Sequence, residues 1–181
     1  MTASLLRQAP DLMVQYARYH RDRRNIATHF IGIPMIVFAV QVLLARPSLA
    51  LGGLVLTPAD LLWAVATAWY LSRGALLLGL AVSAANLGLT ALAHLASGGS
   101  TNAWLACGVG SFVVGWVFQF VGHWYEGRKP AFVDDLVGLL VGPMFVTGEA
   151  LFAAGLCPDL LATIEREAGP THLRDLTHPA A

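Results

Sequence analysis

Charged side chains are scarce in this sequence: Asp, Glu, Lys and Arg make up 12% of it, against about 25% in an ordinary soluble domain. The two signs cancel to a formal net charge of +0, which gives no whole-chain reason to expect a nucleic-acid partner, since that needs a basic patch or stripe. Cysteine is scarcer still. Cys107 and Cys157 stand apart in apolar surroundings, without the spacing of a disulfide framework or a zinc ribbon, and both read as buried free thiols. An early apolar run is missing as well. Arg7, Asp11, Arg18, Arg21, Asp22, Arg23 and Arg24 crowd residues 1–28, which argues against a cleavable signal and keeps the N-terminus on the side where the chain is made. What remains is apolar, at 56% of residues and a mean hydropathy of +0.63. A chain of 181 residues has too little interior to hide that surface from water. Lipid is the implied solvent.

The expected fold is all-α: a multi-pass membrane helical bundle with four to five spans and an N-terminal interfacial helix. Residues 4–19 place Leu12, Met13, Tyr16 and Tyr19 at helical spacing, with Pro10 and Asp11 near the start. They predict a short amphipathic helix on the membrane surface. The charged run HRDRRN follows. From His29 an apolar stretch reaches Arg46-Pro47, with Gly32 and Pro34 marking close backbone contact or a kink. Residues 47–57 are apolar but broken by glycine, and read as a loop or a partial re-entry. Thr57-Pro58 opens a second span at about Ala59, which closes at Ser72-Arg73-Gly74. The third runs from Ala75 to about Ala96 and the fourth from Ala103 to about Val121, where Gly108, Gly110, Ser111 and Gly115 suit tight helix packing. Phe132 to Leu156 is apolar but interrupted by Asp134, Asp135, Pro143 and Glu149, and either spans or bends back at Gly142-Pro143. The whole chain, 1–181, reads as one membrane domain: an interfacial segment over 1–28, a bundle over 29–156 and a polar tail over 157–181.

Basic residues orient this layout. Arg7, Arg18, Arg21, Arg23, Arg24, Arg73, Arg128 and Lys129 fall on one side and Arg46 alone on the other, as the positive-inside rule requires of a cytoplasmic face. His29 opens the first span on that face, and His123 closes the fourth on the same face. His94 belongs to the opposite one, where packing or a helix–helix hydrogen bond explains it. His172 and His178 in the tail read as surface residues.

His20 and His29 are nine residues apart, ~900° around a helix and so half a turn out of phase. A break within 21–28 would let both face one ligand. Asn25 and His29 share a helical face, as do His123 and Glu126. Imidazole and carboxylate ligands suit iron, zinc, copper or nickel, and two histidines with one carboxylate suit non-haem Fe(II). His20, His29, His123 and Glu126 can supply such a set. Taken singly, a histidine at a membrane interface is more often a hydrogen-bonding anchor than a ligand, and Glu126 beside Arg128 and Lys129 is usually a solvated ion pair; the convergence of three histidines on one face is what favours the metal set.

The pattern Tyr16-x2-Tyr19-His20-x4-Asn25-x3-His29-x2-Gly32-Ile33-Pro34, with Gln119-Phe120-x-Gly122-His123-x2-Glu126-x-Arg128-x-Pro130-Ala131, resembles the 2-hydroxy fatty acid dioxygenase family. The resemblance covers about residues 10–155, including the order of the apolar segments. It implies a multi-pass membrane enzyme using Fe(II) and O2 to shorten a 2-hydroxy fatty acid by one carbon in α-oxidation, here as a bacterial member in the inner membrane with its site on the cytoplasmic side. His20, His29 and His123 match the family's motif histidines and are the expected metal ligands. Glu126, its motif glutamate, is an expected catalytic residue together with Arg128 and Asn25. The expected partners are a 2-hydroxy fatty acid, O2 and membrane lipid, with no nucleic acid. Arg128, Lys129 or one of Arg21, Arg23 and Arg24 would steady the acid head, and Asn25, Tyr16, Tyr19 and Gln119 would fix imidazole tautomers. Tyrosines at an interface also serve as an aromatic belt. The competing class is a non-catalytic lipid-binding or scaffold protein, which metal content would separate from the enzyme.

Overall fold

The computed structural model describes residues 6–128 and 137–177, and its element order is α1 (Ala9–Ala17), α2 (Arg23–Ala45), β1 (Leu49–Leu51), β2 (Leu54–Leu56), α3 (Pro58–Leu71), α4 (Leu76–Ser97), α5 (Thr101–Glu126), α6 (Gly138–Ala153) and α7 (Pro158–Ala168). Lys129, Pro130, Ala131, Asp134, Asp135 and His178 lie outside the described residues. Three helices, α2, α4 and α5, are long and apolar enough to cross a membrane, or four spans if the bent pair α6 and α7 is counted as one. The fold is therefore a membrane-type helical bundle whose three to four candidate spans overlap the four to five expected. The expected second span, α3, has 14 residues and rises only roughly 21 Å against a hydrocarbon core of about 30 Å, yet it runs from the Asp60–His94 contact at one end of the bundle to Arg73, whose carbonyl accepts from the Ala9 amide, at the other.

The bundle is organised on the α2–α5 pair. Gly108, Gly115 and Gly122 recur every seven residues along α5, so they stay on one face of a gently supercoiled helix. A Cβ at Gly115 would meet the Gly32 carbonyl oxygen at 3.0 Å, and one at Gly108 would meet the Leu43 side chain. The backbones close to a distance that side chains would forbid. Pro34 sits inside α2 without ending it. The opposite surfaces are apolar and uncovered, with Leu80, Leu92 and Leu95 on α4 and Val113, Val117 and Phe120 on α5 exposed, a lipid-facing pattern on helices of this length.

The connections have local causes. The stretch read as a loop or re-entry is a two-stranded antiparallel hairpin, turned by Gly52 and Gly53 at positive φ. Thr57 and Asp60 form a reciprocal capping box that starts α3. In α6 the chain passes through Pro143 without bending back, and the 114° turn comes later, between α6 and α7.

The apolar side of α1 packs against protein: Leu12, Met13, Val14, Tyr16 and Ala17 join Leu78, Val141, Met144, Phe145 and Ile164 in one buried cluster with α6 and α7. Of the residues read at helical spacing, Leu12, Met13 and Tyr16 are buried and Tyr19 is half-buried. The tail after α7 also docks. The backbone of His172 pairs with the 21–23 segment, accepting from the Arg23 amide and donating to the Arg21 carbonyl, both at 2.9 Å, while its side chain is exposed.

Candidate metal centre

The connection between α1 and α2 is five residues, 18–22, and it breaks the helix across the start of the 21–28 window expected from the sequence. Asp22 explains where α2 begins. Its side chain accepts from the Arg24 amide at 2.8 Å as an N-cap. The same carboxylate takes the Arg24 guanidinium at 2.7 Å and the Arg174 amide at 2.8 Å. Burial alone would raise its pKa, but these donors outweigh burial and hold it down at about 2. At the other end of the site, Gly127 adopts the left-handed conformation and closes α5 with its amide on the His123 carbonyl at 2.9 Å. His123 and Glu126 thus occupy the last turn of α5, opposite the first turns of α2.

Glu126 joins the two halves. Its carboxylate accepts from the Arg21 amide at 3.0 Å, the Asp22 amide at 2.9 Å and the Asn25 side-chain amide at 2.9 Å. A negative charge at the N-terminal end of α2 also complements the helix dipole. The 18–22 connection is pinned so that His20 turns inward, and His20 and His29 are both fully buried. Arg21 runs alongside, donating to the Ala17, His20 and Gly169 carbonyls and pairing with Glu149 at 3.4 Å. Its burial lowers its pKa, and Glu149 and Glu126 oppose that drop.

Three histidines meet where α1, α2 and α5 converge. One ring nitrogen from each of His20, His29 and His123 lies within 4.8 Å of the other two, and among the described residues the cluster contains no carboxylate. Ring centroids are 4.6 Å apart for His20 and His29, 4.9 Å for His20 and His123, and 5.1 Å for His29 and His123. Tyr16 stacks flat on His20 at 4.1 Å, and Phe145 seals the same ring at 5.5 Å.

The hydrogen bonds around these rings decide what the cluster can hold. His20 Nδ1 faces the Tyr16 main-chain carbonyl at 2.7 Å, and His29 Nδ1 faces the Asn25 main-chain carbonyl at 2.9 Å. A carbonyl only accepts, so both Nδ1 atoms carry the proton. The two Nε2 atoms are then bare lone pairs, and they lie 3.1 Å apart. Two lone pairs at that distance repel unless a proton or a metal ion stands between them. Burial, then the neighbouring His29 and His123, hold the His20 pKa well below its ordinary value, which disfavours the proton. Two nitrogens bound about 2.1 Å from one metal at a right angle would sit about 3 Å apart. The donor set fits a metal ion.

The carbonyls, not the side chains expected to do so, set these tautomers. Gln119 is 6% exposed and its Nε2 has no hydrogen-bond partner among the described residues. The Tyr16 hydroxyl has none among the described residues, and burial pushes its pKa up. Leaving a buried polar group unpaired costs about 1–3 kcal/mol. Both line an apolar cavity that also touches His123 and is walled by Ile33, Ile36, Val37, Trp116, Leu139 and Pro143. Arg128 is elsewhere. It donates to the Arg18 carbonyl at 2.7 Å and, with Arg18, Arg21, Glu126 and Arg174, lines a separate polar pocket on the same end of the bundle. Tyr19 contributes its main-chain carbonyl to Asn25 at 3.3 Å.

Reading the residues alone gave Asp22 and Phe145 no place in the site and named Gly122 only within the motif, without a role. Asp22 before a helix is a cap signal that was available. Gly122 backs the site: a Cβ there would run into Thr28, Asn25 and His29, and its seven-residue spacing from Gly115 was readable.

No solved structure matches the chain. Over 158 residues, 84% of each protein, it is 33% identical to 2-hydroxy-palmitic acid dioxygenase MPO1 of Saccharomyces cerevisiae. Residues 6–154 match the family described as 2-hydroxy-palmitic acid dioxygenase Mpo1-like. That match takes in the described parts of every element that shapes the histidine cluster, and this chain belongs to the Mpo1-like family.

Proposed function

We propose that the protein is an Fe(II)-dependent dioxygenase that converts a 2-hydroxy fatty acid to the acid one carbon shorter, with His20, His29 and His123 holding the metal. The observation that carries this reading is the pair of facing Nε2 lone pairs in a buried three-histidine cluster, set in a chain of this family. Bound Fe(II) would supply the one-electron chemistry that lets O2 react with an organic acid. The balance RCH(OH)COOH + O2 → RCOOH + CO2 + H2O closes in atoms and electrons, so the substrate serves as its own reductant and 2-oxoglutarate is unnecessary.

The chain's residues have separable tasks in this scheme. The Tyr16 and Asn25 carbonyls fix the Nδ1–H tautomer of His20 and His29 and so leave Nε2 free. Glu126 spends its oxygens on the 21–25 segment, so we assign Glu126 and Asn25 positioning roles. Arg128, beside Arg18 and Arg174 at the polar pocket, would draw the acid head to this face, and the gathering of basic residues there supports reading it as the cytoplasmic side, in this proposal of a bacterial inner membrane. The acyl chain would lie among apolar helices, which is why such an enzyme is embedded.

The test is direct. Anaerobic protein loaded with Fe(II) and given 2-hydroxyhexadecanoic acid should, on admission of O2, yield pentadecanoic acid and CO2 in equal amounts. Iron-replete protein that consumes no O2 and forms no shortened acid would sink the reading.

A further inference from the structure

Two polar side chains at the centre have no task in the scheme above. Gln119 Nε2 is buried with no hydrogen-bond partner among the described residues, Tyr16 is a buried residue whose hydroxyl makes no hydrogen bond among them, and both side chains border the apolar cavity that reaches His123. Buried polar groups are almost always paired, so two orphans on one cavity call for an explanation. Their places are fixed from behind. Gln119 lies one turn before His123 on α5 and packs against Gly32 of α2. Tyr16 is held by its stack on His20, with its hydroxyl toward Gly142 of α6. The amide can present its carbonyl or its NH2 by rotation, and the phenol both donates and accepts. Apart from His123, the rest of the wall, including Ile36, Val37 and Leu139, is largely apolar. A cavity with a polar end at the histidines and an apolar remainder matches an amphiphile with its head at the cluster and methylenes beyond it.

Building on the dioxygenase reading, we propose that this cavity receives the start of the acyl chain, and that Gln119 and Tyr16 hydrogen-bond the oxygens of the 2-hydroxy acid head. They are specificity-determining residues. A site whose buried donors and acceptors are satisfied only by a hydroxylated head discriminates against the plain fatty acid, because the plain acid leaves one of them unpaired.

The experiment uses Gln119→Leu and Tyr16→Phe in the full-length protein. Zn(II)-loaded, non-turnover protein is titrated calorimetrically with 2-hydroxyhexadecanoate and, in parallel, with hexadecanoate. Each variant should bind the 2-hydroxy acid about 10-fold more weakly, the worth of one hydrogen bond, and lose most of its preference over hexadecanoate. Metal content should be unchanged. Thermal stability should hold or rise, because each substitution removes an unpaired buried group; a residue with a merely structural role would show the opposite. Tyr16→Phe keeps the ring on His20 and so guards against a folding failure in the other variant. Wild-type affinity and preference in both variants, with the wild type turning over normally, would overturn the inference and leave the dioxygenase reading standing. A wild type that neither binds nor shortens the acid would remove that reading and the inference with it.

Discussion

The two ends of the bundle each carry histidine, and they treat it oppositely. At the end where α3 begins and α4 finishes, His94 Nε2 meets Asp60 Oδ1 at 2.9 Å with both side chains about a third exposed. That histidine has a carboxylate partner and access to solvent. At the other end, His20, His29 and His123 are buried; His20 and His29 have backbone carbonyls on Nδ1 and face each other through Nε2, and His123 Nδ1 has no hydrogen-bond partner among the described residues. The same residue type is a satisfied surface group in one place and an incomplete coordination set in the other. What separates them is the number of acceptors within reach and the water excluded, not the identity of the side chain. A histidine becomes informative when its hydrogen-bond ledger does not close.

The largest expected effect tests the incomplete end. His20→Ala, His29→Ala and His123→Ala should each reduce bound iron to background and cut product formation by more than about 100-fold, which is the ceiling for losing only a supporting group. Metal analysis on purified protein checks the first and acid-product assay the second. A variant that keeps full iron and activity leaves the metal set. Next comes Glu126→Ala. It strands the Arg21 and Asp22 amides and the Asn25 side chain in a buried site, so about 3 kcal/mol of stability should be lost, with iron retained only in part. Glu126→Gln keeps one acceptor oxygen and should fall between. Chemical unfolding of the metal-free protein reads the difference, and equal stability of all three proteins would show that the carboxylate does not clamp the connection.

Much of this was legible in the residues, and the boundary is physical. Thr57-Pro58 marked a helix start because cap chemistry is local, and the capping box is there. The pairing of His29 with His123 followed from counting crossings and basic residues. His20 was harder, since it needed a break that only the buried Asp22 cap and the Glu126 clamp make specific. Three things were out of reach for a common reason. The burial of α1, the 114° turn before α7 and the carbonyl partners of His20 and His29 each depend on which elements end up adjacent, and an amphipathic stripe does not say whether it faces lipid or protein. Glu126 shows the same limit. Its spacing from His123 suggested a ligand, whereas its oxygens are occupied by a backbone more than a hundred positions away.

A smaller effect sharpens the contrast between a packed face and an open one on the same helix. Gly122→Ala drives a Cβ into Thr28, Asn25 and His29 and should cost about 1–3 kcal/mol while lowering iron content. Gly110→Ala meets nothing within 4 Å and should be neutral or stabilise by about 0.5–1 kcal/mol, the entropy glycine gives up in a helix. Thermal denaturation with metal analysis compares them. If both behaved alike, the close approach of α5 to α2 at Gly122 would be wrong.

The smallest effect belongs to the satisfied end. His94→Ala removes one partner of a part-exposed pair, and such pairs couple by about 0.2–1 kcal/mol. Asp60→Ala should cost more, about 1 kcal/mol on top of that, because the same side chain also accepts from the Thr57 amide at 2.9 Å and the Thr57 hydroxyl at 2.7 Å. A double-mutant cycle isolates the coupling, and it should stay below about 1 kcal/mol with iron content and product unchanged in every member. The cycle is informative because it can fail in one direction only. Loss of iron in His94→Ala would mean that a paired, hydrated histidine at the far end of the bundle still reaches the metal, and the distinction between closed and open hydrogen-bond ledgers would no longer identify the site.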